Sequence, residues 1–125
     1  MANELKITTS MKLANGDLDS FTVASRTQSI TQNTAAPARV DGTQTIGTTE
    51  EAIVVTDLTT NGWAYFRNRD ATNYVTIGVK PAATYYPVLR LKANEGCVVR
   101  LEPAITHYAK ADTAAVILER LIIDD

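Results

Sequence analysis

The sequence predicts an all-β fold, a single-domain antiparallel β-sandwich that is jelly-roll-like and has about eight to ten strands. Apolar residues alternate with polar ones, and strand-like runs recur about every 8–15 residues with turn signals between them. The chain has 125 residues, of which 45% are hydrophobic and 21% are charged. A chain of this length buries enough surface for a core without disulfides or metals, so we expect one domain over residues 1–125.

The first strand shows the alternation most clearly. Apolar residues occupy odd positions, with Lys, Thr and Ser between them: Leu5, Ile7, Met11 and Leu13. The sequence Ala-Asn-Gly-Asp at 14–17 supplies a turn, because Asn and Gly tolerate positive φ. The alternation resumes at Phe21 and Val23, which predicts a second strand.

Residues 26–38 break this pattern. The segment has no charge after Arg26 and few large apolar groups. It fits a long surface loop, an edge strand, or an extended arm that lies on a neighbouring molecule. Pro37 argues only against a central strand, since proline cannot donate a hydrogen bond to the ladder.

Further strands are predicted from Val40 to the end of the chain. Ile77 and Val99 are expected in the core. The last segment, 116–123, fits either a strand or a helix of about three turns, and its β-branched residues favour a strand.

Three segments are apolar on consecutive residues: Ile53 to Val55, Cys97 to Val99, and Val116 to Leu118. Since neighbouring side chains of a strand point to opposite faces, both faces of these strands require burial. Loops of the same chain or another subunit could supply the cover, and the sequence leaves both open.

The residues needed for common catalytic and metal sites are scarce. The chain has one histidine, His107, and one cysteine, Cys97, whereas zinc and non-haem iron sites usually use several such ligands. Asp124 and Asp125 are expected to aid solubility at the terminus. We therefore predict a protein that is not an enzyme and has no metal or cofactor.

The charge and the hydropathy of the sequence indicate which classes of partner to expect. The net charge of −2 lacks the clustered Lys and Arg of a nucleic-acid site. No run approaches the ~20 apolar residues of a membrane helix. The N-terminus lacks the apolar core of a signal peptide, so we expect a soluble protein made in a cytoplasm, with no nucleic-acid or membrane partner.

Aromatic and basic residues cluster in the middle of the chain. They define a candidate protein interface: Trp63, Tyr65, Arg67, Arg69 and Tyr86. Tyrosine, tryptophan and arginine are enriched at such interfaces. Rings on a β-sandwich also stack on sugars, so a carbohydrate-binding module is the alternative.

Parts of the chain resemble a family of small virion proteins of tailed bacteriophages. The residues that carry the resemblance are MANELKIT at 1–8, TIGTTEEAI at 45–53, GWAYFRNRDATNYVTIGV at 62–79, YPVLRLKANEG at 86–96 and YAKADTAAVILERLIIDD at 108–125. The similarity as a whole covers about two-thirds of the chain and is weakest over 14–44.

The resemblance implies a head- or tail-associated structural protein. Within this class, the chain is similar to capsid cement or decoration proteins. Such proteins bind the capsid exterior as dimers or trimers and brace the capsid against the pressure of the packaged DNA. The expected partners are the major capsid protein or other virion proteins and further copies of this chain, and the expected location is the virion, assembled in the host cytoplasm. A tail, baseplate or head-fibre subunit is the alternative within this class.

Overall fold

The computed structural model describes residues 4–16, 18–33 and 37–125. Contacts divide the chain into two units, Met1–Ala35 and Ala36–Asp125, and each is described by itself. Every strand pairing in the described residues is antiparallel, which confirms the predicted all-β class. No helix in these ranges is long and apolar enough to cross a membrane.

The first unit contains one long hairpin. Strand β1 (Leu5–Asn15) pairs with β2 (Leu18–Ile30). The chain reverses where the turn was predicted at 14–17, although Asp17 lies outside the described residues.

The predicted loop or arm at 26–38 requires a correction at its start. Residues 26–30 are the end of β2 and pair with β1 as far as Leu5. Residues 31–33, 37 and 38 are not in strands, and residues 34–36 lie outside the described part of the chain. The regular register with β1 explains the difference, because Thr27 and Ser29 occupy the polar face of a two-sided ribbon.

The second unit contains eight strands. They are β3 (Arg39–Ile46), β4 (Glu51–Ala52), β5 (Asn61–Asn68), β6 (Val75–Val79), β7 (Tyr86–Leu91), β8 (Gly96–Arg100), β9 (His107–Ala111) and β10 (Val116–Asp124). One sheet has the order β3-β10-β5-β8 and the other β4-β9-β6-β7. Both sheets therefore lie within residues 39–124, not across 1–125. The segment left open between strand and helix, 116–123, is strand.

The strand order has a regular connectivity. Counting the eight strands of this unit along the chain, one sheet takes the first, eighth, third and sixth, and the other takes the second, seventh, fourth and fifth. This arrangement of two antiparallel sheets is compatible with the predicted β-sandwich.

The core forms from the inward-facing residues of both sheets. Phe66, Leu118 and Ile122 come from the first sheet, and Val75 and Ile77 come from the second; all five are 2% exposed or less. Gly78 of β6 allows a close approach, because a Cβ there would collide with the carbonyl oxygen of Tyr86.

A buried carboxylate holds one end of this unit. Asp124 is 2% exposed. Its Oδ1 accepts hydrogen bonds from the backbone N–H of Thr59 (2.9 Å) and Thr60 (3.1 Å), and its Oδ2 accepts one from Ala38 (3.0 Å). The expectation that Asp124 serves solubility is therefore wrong, since its side chain joins β10 to two connecting segments. Asp125 also has a structural partner, Arg100, at 2.7 Å.

We expect Ile77→Ala to lower the free energy of unfolding by about 2–4 kcal/mol, because it removes a fully buried side chain and leaves a cavity. Urea denaturation measures the change. Ile117→Ala is the matched control, since Ile117 is 49% exposed and should lose less than about 1 kcal/mol. Equal losses for the two variants would mean that the faces of the sheets are assigned the wrong way round.

Asp124→Ala should lower the free energy of unfolding by about 2–4 kcal/mol, because three backbone N–H groups lose a charged acceptor. Asp125→Ala is the control: it removes one partly exposed ion pair, in which the side chains of Arg100 and Asp125 are 43% and 14% exposed, so we expect a smaller loss of about 1 kcal/mol. A loss for Asp124→Ala no larger than for Asp125→Ala would contradict this structural role.

Candidate functional site

The outward side of the first sheet carries most of the predicted interface residues. On β5, Trp63, Tyr65 and Arg67 alternate with buried Ala64 and Phe66, so they point away from the core. The alternation follows from strand geometry, in which successive side chains lie on opposite faces.

Neighbouring strands extend this surface. Tyr65 lies between Leu121 of β10 and Val98 of β8, while Trp63 lies beside Arg100. We call this surface the outer face. Its residues are Trp63, Tyr65, Arg67, Val98, Arg100, Ile117, Glu119, Leu121 and Ile123, with Arg39, Asp41, Thr43 and Thr45 of β3, which pair with the outward residues of β10.

The outer face is apolar at its centre and exposed. Val98 is 45% exposed and Ile117 is 49% exposed, whereas Val116 and Leu118 on either side of Ile117 are buried. These are the middle residues of two of the three consecutive apolar segments. The sequence left open whether loops of the same chain or another subunit cover these residues. Loops in the described part of the chain do not cover Val98 and Ile117.

Arg69 is held beside this face by the turn after β5. The Asn68 side chain donates to the carbonyl oxygen of Asn73 (2.7 Å) and accepts from the N–H of Asp70 (3.0 Å). The Asp70 carboxylate accepts from the N–H groups of Asn73 and Thr72, which lowers its pKa. Arg69 itself donates its N–H to the carbonyl of Ile117 at 2.9 Å.

An open groove crosses the outer face, lined in part by Tyr65, Arg69, Glu119 and Leu121. Neither Arg67 nor Arg69 has a carboxylate within ion-pair distance among the described residues. The groove therefore places a tyrosine ring and the Arg69 guanidinium beside two carboxylates, Asp41 and Glu119, and one large apolar side chain, Leu121.

Tyr86 does not belong to this surface. It lies on β7, an edge strand of the other sheet, opposite Val79, and is 54% exposed. The five predicted residues thus divide between two sheets, and the structure brings together only Trp63, Tyr65, Arg67 and Arg69.

The outward side of the second sheet is occupied by its own polar contacts. The hydroxyls of Thr76 and Tyr85 lie 2.8 Å apart, and burial raises the Tyr85 pKa. The Arg90 guanidinium lies 4.1 Å from the centre of the Tyr74 ring, a cation–π contact. The second sheet therefore lacks the large apolar centre of the outer face.

The two residues with catalytic potential occupy structural positions. Cys97 is on β8, where it packs against the core, and burial raises its thiol pKa, which disfavours the nucleophilic thiolate. His107 is on β9 in the other sheet, and burial lowers its pKa. No group of three or more His, Cys, Asp or Glu that could hold a metal ion occurs in the ranges that the structure describes.

The interface predicted from the sequence did not include four apolar residues of the outer face: Val98, Ile117, Leu121 and Ile123. The consecutive apolar segments at 97–99 and 116–118 were the available signal for the first two. Leu121 and Ile123 follow from the period of two along β10, once that segment is known to be a strand.

Comparison of the chain with protein-family models, curated proteins and solved structures found no match.

The environment of His107 predicts how the stability of the protein depends on pH. Its pKa in the folded protein lies below the ordinary 6.5, so the unfolded chain binds this proton more readily. Its contribution to stability is present above pH 6.5 and is lost as pH falls from 6.5 towards the lowered folded value. In urea denaturation between pH 7.5 and 5, His107→Gln should show a flatter pH dependence than the unaltered protein. The same slope in both proteins would contradict the assignment.

Proposed function

We propose that the chain is a structural virion protein of a tailed bacteriophage, a cement or decoration protein that braces the capsid through protein–protein contacts. In this proposal it acts as a small homo-oligomer on the virion and has no catalytic role, metal or cofactor. Its partners are the major capsid protein or other virion proteins. The phage assignment rests on the sequence resemblance, and the mode of action rests on the exposed outer face.

The outer face has the composition that a protein contact requires. Covering Val98, Ile117 and Leu121 removes apolar surface from water, which stabilises a complex by roughly 25 cal/mol per Å² of apolar surface before the costs of association. Tyr65 lies between Leu121 and Val98 and adds an amphipathic ring to the contact.

The arginines indicate the chemistry of the partner. Arg67 is exposed and Arg69 lines the groove, and neither has a partner carboxylate within ion-pair distance in the described residues. The same groove also contains the carboxylates of Asp41 and Glu119, so an apolar partner surface bordered by both acidic and basic groups would fit this face best. Complementary charge at the border of an interface raises specificity and the rate of association.

The carbohydrate-binding alternative is less well supported. Trp63 is half-buried, and its indole Nε1 is fully buried without a hydrogen-bond partner in the described residues. Tyr86 lies in the other sheet, so the three aromatic residues form no common stacking surface. A tail, baseplate or head-fibre location uses the same kind of contact and differs from the proposal only in its place on the particle.

Binding to empty capsids of the encoding phage tests the proposal. We expect the purified protein to co-sediment with these capsids, and Val98→Glu to weaken binding about tenfold or more, because it places a charge in the apolar centre. Val88→Glu is the matched control. Val88 is an exposed valine (69%) on an edge strand of the other sheet, so this variant should bind nearly as well as the unaltered protein.

Each alternative gives a different result. Immunogold labelling of intact particles that marks the tail would replace the head assignment with the tail subunit. On a glycan array, a retained sugar that Trp63→Ala no longer binds would favour the carbohydrate module. A protein that binds neither capsids nor particles would refute the proposed function.

A further inference from the structure

A second open groove lies on the outward side of the second sheet. Its volume is about 440 Å³, which is within the range of small-molecule sites. It combines aromatic rings, charged groups and hydroxyls, and its lining includes Tyr74, Thr76, Tyr85, Arg90, Lys110 and Asp112. The groove is separate from the outer face, which belongs to the first sheet.

Two cations stand on either side of the floor of this groove. Thr76 of β6 pairs with Arg90 of β7 on one side and with Lys110 of β9 on the other. Thr76 alternates with core residues Val75 and Ile77, so its side chain points outward. Strands lie about 4.8 Å apart, so the backbones of Arg90 and Lys110 are about 10 Å apart. Their long side chains can therefore both reach a group held above the short Thr76 side chain.

These two cations are not neutralised by ion pairs in the described part of the chain. Neither Arg90 nor Lys110 has a carboxylate within ion-pair distance there. Among the described residues that line the groove, Asp112 is the one carboxylate, and Glu50 nearby is engaged with Lys80 at 3.0 Å. The lining thus carries a net charge of +1 in a chain whose net charge is −2. A single negative charge on a ligand would balance it.

The Arg90 guanidinium is held in place by a ring. It lies 4.1 Å from the centre of the Tyr74 ring, in a cation–π contact that uses the face of the guanidinium plane. Its N–H groups have no hydrogen-bond acceptor among the described residues. The edge of the guanidinium, which binds carboxylates in the bidentate geometry, is therefore available to a ligand.

The groove also offers hydrogen-bond acceptors. The Thr76 hydroxyl donates to the carbonyl oxygen of Lys110 at 3.3 Å, and the Tyr85 hydroxyl lies 2.8 Å from Thr76 Oγ1. Since each hydroxyl has one hydrogen, Tyr85 donates to Thr76 and keeps its own lone pairs for a further donor. The Asp112 carboxylate accepts hydrogen bonds as well. A ligand that fits this groove therefore carries hydroxyl groups in addition to its negative charge.

We propose that this groove binds a sugar acid, which is a hydroxylated ring that bears one carboxylate. The carboxylate lies between Arg90 and Lys110, hydroxyls of the ring donate to Asp112 and to the Tyr85 oxygen, and the C–H groups of the ring pack on the aromatic lining. The inference goes beyond the proposed function, and it uses none of the aromatic residues of the predicted interface.

Titration of the isotope-labelled free protein with D-glucuronate, followed by NMR, tests the site. We expect saturable shifts of backbone N–H signals around the groove, with a dissociation constant on the order of 1 mM, as suits a ligand of this size. D-Glucose has a hydroxymethyl group in place of the carboxylate, and acetate lacks the ring, so each should bind about tenfold more weakly or worse. No saturable binding of D-glucuronate or D-galacturonate, or equal binding of D-glucose or acetate, would overturn the inference.

Variants locate the binding. Arg90→Gln and Lys110→Gln should each weaken D-glucuronate binding about tenfold or more, because each removes a charge-assisted contact. Arg67→Gln is the matched control, since Arg67 is an exposed arginine of the first sheet and should leave binding unchanged. Thermal unfolding checks that each variant is folded. Full binding by either groove variant, or an equal loss in Arg67→Gln, would place the ligand elsewhere and overturn the assignment.

The free protein is used throughout, so this inference and the proposed function fail separately. A protein that binds sugar acids but not capsids refutes the proposed function and leaves the groove assignment standing. A protein that binds capsids but no sugar acid does the reverse.

Discussion

The second unit depends on the strict alternation of one strand, β10. It pairs with β3 on one side and with β5 on the other, so every residue of Val116–Asp124 lies inside the first sheet. The inward positions supply Val116, Leu118 and Ile122 to the core. The outward positions supply Ile117 and Leu121 to the outer face. A one-residue slip of register would exchange the two sets, and since each contains three apolar residues and one charged residue, Arg120 inward and Glu119 outward, hydrophobicity alone specifies the register weakly. Asp124 helps to fix the register, because its carboxylate accepts hydrogen bonds from three backbone N–H groups that it reaches only at the end of the sheet.

The outward faces of the two sheets differ in how far their side chains find partners within the unit. The second sheet pairs central outward residues within the unit, as in the stacking of Arg90 on Tyr74, and Lys80 contacts Glu50 at 3.0 Å nearby. Its exposed apolar residues on β7, Tyr86 and Val88, lie on an edge strand. The first sheet leaves large apolar side chains exposed and arginines without ion-pair partners in the described residues. Exposed apolar area on a strand is a liability unless it has a partner, because it favours aggregation as well as specific contact. The asymmetry between the sheets is therefore the physical reason for assigning the contact to one face and not the other.

The sequence predicted the class of the fold because a period of two can be read directly from residues such as Leu5, Ile7 and Ile77. It also predicted that the consecutive apolar segments require cover on both faces, and in the structure their residues Val98 and Ile117 are exposed. It did not predict how strands are distributed between sheets, since pairing partners such as Tyr65 and Val98 are more than 30 residues apart and no local signal links them. Tyr86 was grouped with Trp63 on chain proximity and residue type, and the sheet order separated them. Asp124 was misjudged for a similar reason: its donors at Ala38 and Thr59 come together only in the fold.

The hairpin and the outer face share one origin, which is that this chain has more apolar strand surface than its own two-layer core can bury. In the sandwich, the surplus appears as the middle residue of a consecutive apolar run, such as Val98 or Ile117. In the hairpin, it appears as the exposed pairs Met11 with Val23 and Leu13 with Phe21, on a face that also carries Thr9, Arg26 and Gln28. A ribbon cannot form a second layer by itself, and a sheet without cover lacks one. Both surfaces are therefore apolar area that the described residues of the chain leave without a second layer.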